Sequence, residues 1–340
     1  CRGIVAQDLR TMEIRVFPAD AVCLATGGNG VLYGKSTLSM VCTGSAASNV
    51  YQQGAIYANG EFIQVHPTAI PGEDKHRLMS ESARAEGGRM WVPRDGKPWY
   101  FLEEKYPKYK NLVPRDIATR EIYYVCRVLK LGVDGQDVVY LDLSHIPKET
   151  LDRKLGGILE IYEKFVGDDP RKVPMKVFPS VHYSMGGLWI DYEADGSGNI
   201  VAGSPRNHQT NIPGLFAAGE VDYEYHGANR LGANSLLSCF YGGMLAGPAM
   251  VSYAKSLERS CDAVPASVFE AERKRQEDAC NRISALQGTE NPFVLHKELG
   301  EVMTDNVAVV RYNDKLQTAD NAILAFMDRW KRIDINDAAT

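Results

Sequence analysis

The sequence predicts a multidomain chain of mixed α/β and α+β class that closes in helices, on three observations. Two short apolar runs far apart in the chain, Ala21 to Ala25 and Gly214 to Glu220, each read as a buried strand that stops in a glycine turn. Between them, residues 62–182 alternate strand patterns, polar loops and helical periods, as a separate inserted α+β unit does. From Ser267 onward the chain is charged and helical in period, as in a bundle.

In chain order, Gly3 to Leu9 and Glu13 to Phe17 are β-rich runs on either side of the polar corner Arg10-Thr11. The strand Ala21 to Ala25 ends at Thr26-Gly27-Gly28-Asn29-Gly30. Thr43 to Gly60 is expected as one helix, with Gly44, Ala46 and Ala47 allowing close backbone approach and Asn59-Gly60 as its C-cap. The inserted unit should hold a helix from Arg115 to Val128, a strand from Val138 to Leu143 and an amphipathic helix from Lys148 to Phe165. Gly186 to Tyr192 and Ile200 to Ala202 flank Asp195-Gly196-Ser197-Gly198-Asn199, a hairpin signal. The run ending in Glu220 resumes the first sheet, an apolar helix covers Ser235 to Ala254, and helices over 267–287, 293–304 and 313–332 close the chain. The expected division is 1–61 with 183–255, then 62–182, then 256–340.

Composition narrows the function. A net charge of -5 without any Lys/Arg-rich run gives no footing for a nucleic-acid groove or a polybasic membrane patch. The seven cysteines are scattered, odd in number and free of CxxC spacing, so neither a disulfide framework nor a zinc site is expected, and a reducing setting is. Ser235 to Ala254, the most apolar helical stretch, is broken by glycines and polar residues and falls short of a membrane span. The start lacks the charged and apolar parts of a signal peptide, and Cys1 reads as an internal position. HExxH, Walker and GxSxG strings are absent.

Five strings carry chemistry. The first is the pair of strand-to-glycine turns, Ala25-Thr26-Gly27-Gly28 and Ala217-Ala218-Gly219-Glu220, which let backbone amides approach a ligand and set an acid at the strand end. The second is Val65-His66-Pro67-Thr68 followed by Ser80-Glu81 and Arg84; taken alone, Glu81 and Arg84 read as readily as a surface i, i+3 ion pair. Pro114-Arg115-Asp116 starts a helix with an arginine that could equally serve a surface salt bridge. The fourth is Ser180 to Gly187, with His182 at its centre. The fifth, His226-Gly227-Ala228-Asn229-Arg230-Leu231-Gly232-Ala233-Asn234-Ser235-Leu236-Leu237, runs a polar glycine-rich loop into an apolar helix whose N-terminus suits a phosphate, a carboxylate or a reduced flavin edge.

In this order and spacing, these strings resemble the flavoprotein subunits of succinate dehydrogenase and fumarate reductase, and Thr43 to Ser48 is most similar to the bacterial menaquinone-linked branch. The resemblance covers essentially the whole chain. It implies a partial Rossmann-like FAD-binding domain (1–61 and 183–255) whose N-terminal βαβ part and GxGxxG string lie outside the chain, an inserted capping domain (62–182), and a helical domain (256–340). It implies that His66, Ser80, Glu81, His182 and Arg230 bind succinate or fumarate, and that Arg115 exchanges a proton with substrate through a relay of Glu81 and Arg84. It assigns Thr26, Gly27, Ser45, Glu220, Ser235 and Leu236 to FAD, with Ser45 standing where many members carry an acidic residue, and it implies no metal.

The same resemblance implies a covalent flavin bond through a histidine outside this chain, an iron-sulfur subunit and a cytochrome b membrane anchor as partners, and a peripheral place on the cytoplasmic face of the bacterial cell membrane. An arginine as proton carrier conflicts with its usual pKa above about 12, and only a closed site with Glu81 at hand relieves that conflict in the oxidative direction. A soluble fumarate reductase or an L-aspartate oxidase shares several of the strings, and a non-catalytic scaffold fragment is the reading from another class.

Overall fold

The structure is a computed structural model that describes residues 1–72 and 75–335. Strands β1 (Gly3–Gln7) and β2 (Ile14–Pro18) form an antiparallel hairpin, and β3 (Val22–Leu24) leads into the first glycine turn. Helix α1 (Ser45–Gln52) is shorter than the helix expected over 43–60. Gly54 takes a φ of 100°, which a right-handed helix cannot continue through, and the chain re-enters as strand β4 (Tyr57–Ala58).

The inserted unit follows: β5 (Ile63–Ile70), β6 (Arg77–Leu78), α2 (Ser82–Ala85), β7 (Arg89–Arg94), β8 (Lys97–Trp99), α3 (Phe101–Lys105), α4 (Arg115–Tyr123), β9 (Val139–Asp142), α5 (Lys148–Val166) and β10 (Met175–Ser184). Its strands form one antiparallel sheet of six, in the order β6-β5-β10-β9-β7-β8. Helix α5 buries Leu151, Leu155, Leu159 and Tyr162, a stripe at helical spacing, in one core with Met90, Val139, Leu141 and Val177 of the sheet. Each such leucine contributes about 1.5–3 kcal/mol on burial. Gly167, at φ 93°, ends α5 in a left-handed cap whose amide donates to the Glu163 carbonyl.

The pairing of β5 with β10 is irregular at two places, and both matter for function. Phe178 pairs with Ala69 and Ser180 with His66, so Pro179 alone stands opposite Pro67 and Thr68. Prolines cannot donate to a ladder, and the bulge absorbs both. Val181 then pairs with Val65 and Tyr183 with Gln64, which makes His182 the extra residue of a second irregularity. An extra residue re-aims its side chain relative to the strand, and this one meets the His66 ring.

Strand β11 (Gly187–Leu188) pairs antiparallel with β4, and β12 (Leu215–Ala217) pairs parallel with β3. The hairpin expected over 186–202 forms only at its turn, where an antiparallel bridge joins Ala194 and Ile200, while Gly187–Leu188 of its first arm pairs with β4 instead. A Cβ at Gly186 would lie 1.9 Å from the Asn59 carbonyl and one at Gly187 2.3 Å from that of Val221, so these glycines commit the strand to other neighbours.

Among the described residues four α-helices follow: α6 (Asn234–Ser256), α7 (Ala266–Ser284), α8 (Pro292–Met303) and α9 (Asn313–Trp330). Contrary to expectation, α6 is long and apolar enough by composition to cross a membrane; its small buried positions, Ser238, Gly242, Ala246 and Ala249, form one face, and the helix contacts β12. Asn291 caps α8 by accepting from the Phe293 and Val294 amides, with Pro292 at the first helical position. Arg329 of α9 is held by Glu290 and Glu298. Residues 336–340 of the expected helical domain lie outside the described residues.

Candidate functional site

Strand pairing brings the two histidines together. His66 is fully buried, and its Nδ1 accepts from the Thr68 amide (3.2 Å), so in the neutral ring the proton sits on Nε2. That Nε2 is buried without a partner. The rings of His66 and His182 meet edge to face at 5.1 Å, and the Thr37 hydroxyl lies 2.8 Å from His182 Nδ1. Burial, with Arg230, Arg115 and Lys75 nearby, pushes His182 down to about 3; burial first, then His182 and the arginines 115, 84 and 230, holds His66 well below the usual imidazole range. These shifts favour the neutral ring in both, the form that hydrogen-bonds without carrying charge.

The cations are arginines. Arg115, first residue of α4, donates from Nη2 (3.0 Å) and Nε (3.3 Å) to Glu81 Oε2, and from Nη1 to Gln64 Oε1 (3.2 Å). Arg84 donates to the other oxygen of Glu81 (2.8 Å) and to the carbonyls of Asn111 (2.8 Å) and Val113 (3.1 Å). Burial pulls the Arg84 pKa down, Glu81 opposes that, and Arg115 adds to it. Arg230 is buried as well: its guanidinium lies 4.6 Å over the Tyr183 ring, its amide donates to Met185 Sδ (3.1 Å), and its Nε has no partner. Burial, then Arg115, lowers its pKa.

Gln64 joins the two arginines. Its amide oxygen takes Arg115 while its amide nitrogen donates to the Arg230 carbonyl (2.6 Å). Two guanidinium groups thus grip one carboxylate while a third, Arg230, is tied to Arg115 through Gln64, and the surplus positive charge suits an anion of charge two. Gly232 completes the enclosure: a Cβ there would stand 2.8 Å from Glu81 Oε2 and 3.3 Å from Arg115 Nη2. The structure therefore brings together His66, His182, Glu81, Arg84, Arg115 and Arg230. Ser80 is turned aside, its hydroxyl bonded to the Ser82 amide (3.2 Å) and hydroxyl (3.1 Å).

A second region lies at the parallel pair β3 and β12. Glu220 accepts from the Ser184 amide (2.8 Å) and sits so close to the first turn that a Cβ at Gly28 would be 2.4 Å from its oxygen. Burial pushes its carboxyl up to about 7, against the Ser184 bond and Arg230. A cleft of about 520 Å³ opens here between Gly27, Gly28, Thr43, Ser45, Ser48 and Glu220. Ser45, at the start of α1, bonds the Thr43 hydroxyl (2.8 Å). Thr26 belongs to the same turn; Ser235 and Leu236 stand apart from this cleft on the first turn of α6, Leu236 being 69% exposed.

Sequence reasoning missed Gln64, Thr37 and Tyr183. For Gln64 a signal existed: it stands two residues before His66 on one strand and so on the same face. Thr37 lies in a loop whose approach to His182 no local pattern encodes.

Residues 1–236 match the family model described as FAD binding domain, and residues 296–340 the one described as fumarate reductase flavoprotein C-term. The chain is 64% identical over 337 residues to the succinate dehydrogenase flavoprotein subunit of Bacillus subtilis (strain 168), covering 99% of this chain and 55% of that protein. It is 32% identical over 350 residues to the fumarate reductase flavoprotein subunit of Escherichia coli (strain K12), covering 100% of this chain and 55% of that one. A solved structure of E. coli quinol fumarate reductase superposes with a TM-score of 0.83 at 31% identity, covering 99% of this chain and 56% of that chain. The chain spans about half the length of the curated relatives it matches.

Proposed function

Because the chain belongs to the FAD-binding-domain family, among the succinate dehydrogenase and fumarate reductase flavoproteins, we propose that its site interconverts succinate and fumarate as part of a longer flavoprotein subunit. The observation that carries this reading is the pair of buried N–H donors without acceptors, His66 Nε2 and Arg230 Nε, inside a pocket of surplus guanidinium charge. Unpaired buried donors are costly, and a bound carboxylate at each end of a dicarboxylate relieves both.

On this reading Arg230 grips one carboxylate, with Tyr183 fixing the guanidinium plane, and His66 and His182 hold the other as neutral partners. Arg115 faces the reacting carbons and gives up a proton there in the direction of succinate; Glu81, bonded to it at 3.0 Å, returns one, and Arg84 resupplies Glu81. In the direction of fumarate the same groups carry the proton away. Ser80 is assigned to substrate only through rotation away from Ser82.

The residues present fit a flavin nucleotide: two glycine turns on adjacent parallel strands, a half-buried carboxylate between them and a helix start beside them. Thr26, Gly27, Ser45 and Glu220 would hold FAD, with Ser235 and Leu236 presenting the N-terminus of α6. Bound FAD supplies the acceptor or donor of hydride. The same reading assigns 1–61 and 183–255 to the FAD-binding domain, 62–182 to the capping domain and 256–340 to the helical domain. It places the whole protein in a membrane-bound complex with other subunits, namely an iron-sulfur protein and a cytochrome b anchor, on the cytoplasmic face.

Succinate-dependent dye reduction by the full-length protein, with and without malonate, tests the proposal beside fumarate-dependent oxidation of a reduced viologen. Malonate-sensitive succinate oxidation is the expected result. A flavin-loaded preparation that turns over neither substrate overturns it.

A further inference from the structure

His208 and Tyr225 lie outside the site described above, yet their backbones and side chains are arranged around the loop that carries Arg230. Both are non-glycine residues in the left-handed region, with φ of 62° and 76°. Side chains adopt that region at a cost, so each is held there by its surroundings. The two are bonded to one another, His208 Nε2 to the Tyr225 hydroxyl. His208 Nδ1 is 2.8 Å from the Ala217 carbonyl, which fixes the tautomer: Nδ1 donates to that carbonyl and Nε2 accepts from the phenol.

His208 is anchored through its backbone as well as its ring. The backbone of His208 donates to the Asp191 carbonyl (2.8 Å) and accepts from the Ala217 amide (3.0 Å), which locks it to β12 just before the Gly219-Glu220 turn. Helix α6 leaves room for it at Gly242, where a Cβ would be 3.0 Å from His208 Cε1. Tyr225 is the partner that belongs to the loop. It opens the loop five residues before Arg230, and its ring packs edge to face on Tyr241 of α6 at 5.5 Å. The next residue, His226, bonds the Ser238 hydroxyl (3.0 Å) and meets the ring of Tyr183, the ring beneath the Arg230 guanidinium.

We propose that His208 and Tyr225 form a positioning pair for Arg230, fixing the entry of its loop against β12 and α6 so that the guanidinium stands at the spacing a dicarboxylate requires. The proposal rests on the function given above. Neither residue touches substrate; the pair acts through the loop. It links the strand end that bears Glu220 to the arginine of the anion pocket.

The test uses the full-length flavoprotein and the probe malonate, whose binding is read from the flavin spectrum. Tyr225→Phe keeps the ring and removes the hydroxyl. His208→Asn keeps a side chain that tolerates the left-handed backbone and a donor toward Ala217, but nothing at the Nε2 position. Each variant is expected to weaken malonate and raise the succinate KM about fivefold to tenfold, with flavin content unchanged, and the double variant to be no worse than either single one. Melting temperature lowered with malonate affinity unchanged marks the pair as packing alone and overturns the proposal. Loss of flavin from Tyr225→Phe overturns it too. A wild-type protein that fails to bind malonate removes the dicarboxylate function itself, and the pair's role falls with it.

Discussion

Arg115 and Arg84 grip the two oxygens of one carboxylate: Oε2 of Glu81 accepts from Arg115 at 3.0 Å and Oε1 accepts from Arg84 at 2.8 Å. Glu81 therefore sits between a guanidinium at the pocket and one sunk among backbone carbonyls. In the proposed relay Glu81 acts by exchanging a proton rather than by its shape. Glu81→Gln preserves size and hydrogen bonding and is expected to lower turnover about 10²–10⁴-fold while malonate binding stays within a small factor. Steady-state turnover with malonate titration checks this; a variant with near-normal turnover removes Glu81 from the relay.

Gly232 tests the same contact without touching either charge. A methyl at that position would press on Glu81 Oε2 at 2.8 Å, and the far end of a glutamate can move. Stability should change by less than about 1 kcal/mol, but the Arg115 to Glu81 bond should lengthen. Gly232→Ala is expected to slow turnover by about tenfold or more with an unaltered melting temperature, since misplacement of reacting groups by fractions of an ångström is costly.

Arg230 differs from an ordinary cation in lying 4.6 Å over the Tyr183 ring with its Nε sealed from solvent. A lysine keeps the charge and loses both the plane and the fork. Arg230→Lys should raise the succinate KM about 10- to 100-fold, in line with the loss of a charged hydrogen bond. Equal KM values in the two proteins would move the carboxylate grip elsewhere.

Much of this arrangement was legible in the sequence because the chemistry lies in short contiguous strings. His66, Glu81, Arg84, Arg115, His182 and Arg230 were each visible beside recognisable neighbours, and long helices such as α5 and α9 followed their apolar period closely. What was not legible depends on long-range pairing. The bulge that turns His182 toward His66 arises from the register of two strands more than a hundred residues apart. The helix expected over 43–60 fails at Gly54 because one backbone angle overrides a favourable composition. The hairpin at 186–202 is cut short to one bridge beside its turn, because glycines in its first arm admit the backbones of Asn59 and Val221 instead.

The inserted unit stands on its own core, and Leu159 is at its centre, fully buried on α5 among Leu155, Leu141 and Val177. Truncation removes transfer free energy and leaves a cavity that a packed sheet cannot collapse into. Leu159→Ala is expected to cost about 2–5 kcal/mol of unfolding free energy in denaturant titration. Because the anion pocket draws His66, Arg84 and Arg115 from this unit, the loss should appear as reduced active protein at fixed KM.

Glu220 makes stability depend on pH in a direction opposite to most carboxylates. Its folded pKa is raised to about 7 from an ordinary 4.5, chiefly by burial, so between those values the folded chain holds a proton that the unfolded chain has released. Unfolding free energy therefore falls as pH rises from about 4.5 to about 7, and this contribution is fully present only below the lower value. Burial beside the glycine turns favours the neutral acid over the carboxylate. In urea titrations of the flavin-free chain, Glu220→Gln should gain about 1–3 kcal/mol over the native sequence at pH 8 and nothing at pH 4.5. An equal difference at both pH values would mean that Glu220 is already ionised in the fold, with Arg230 and the Ser184 amide outweighing its burial.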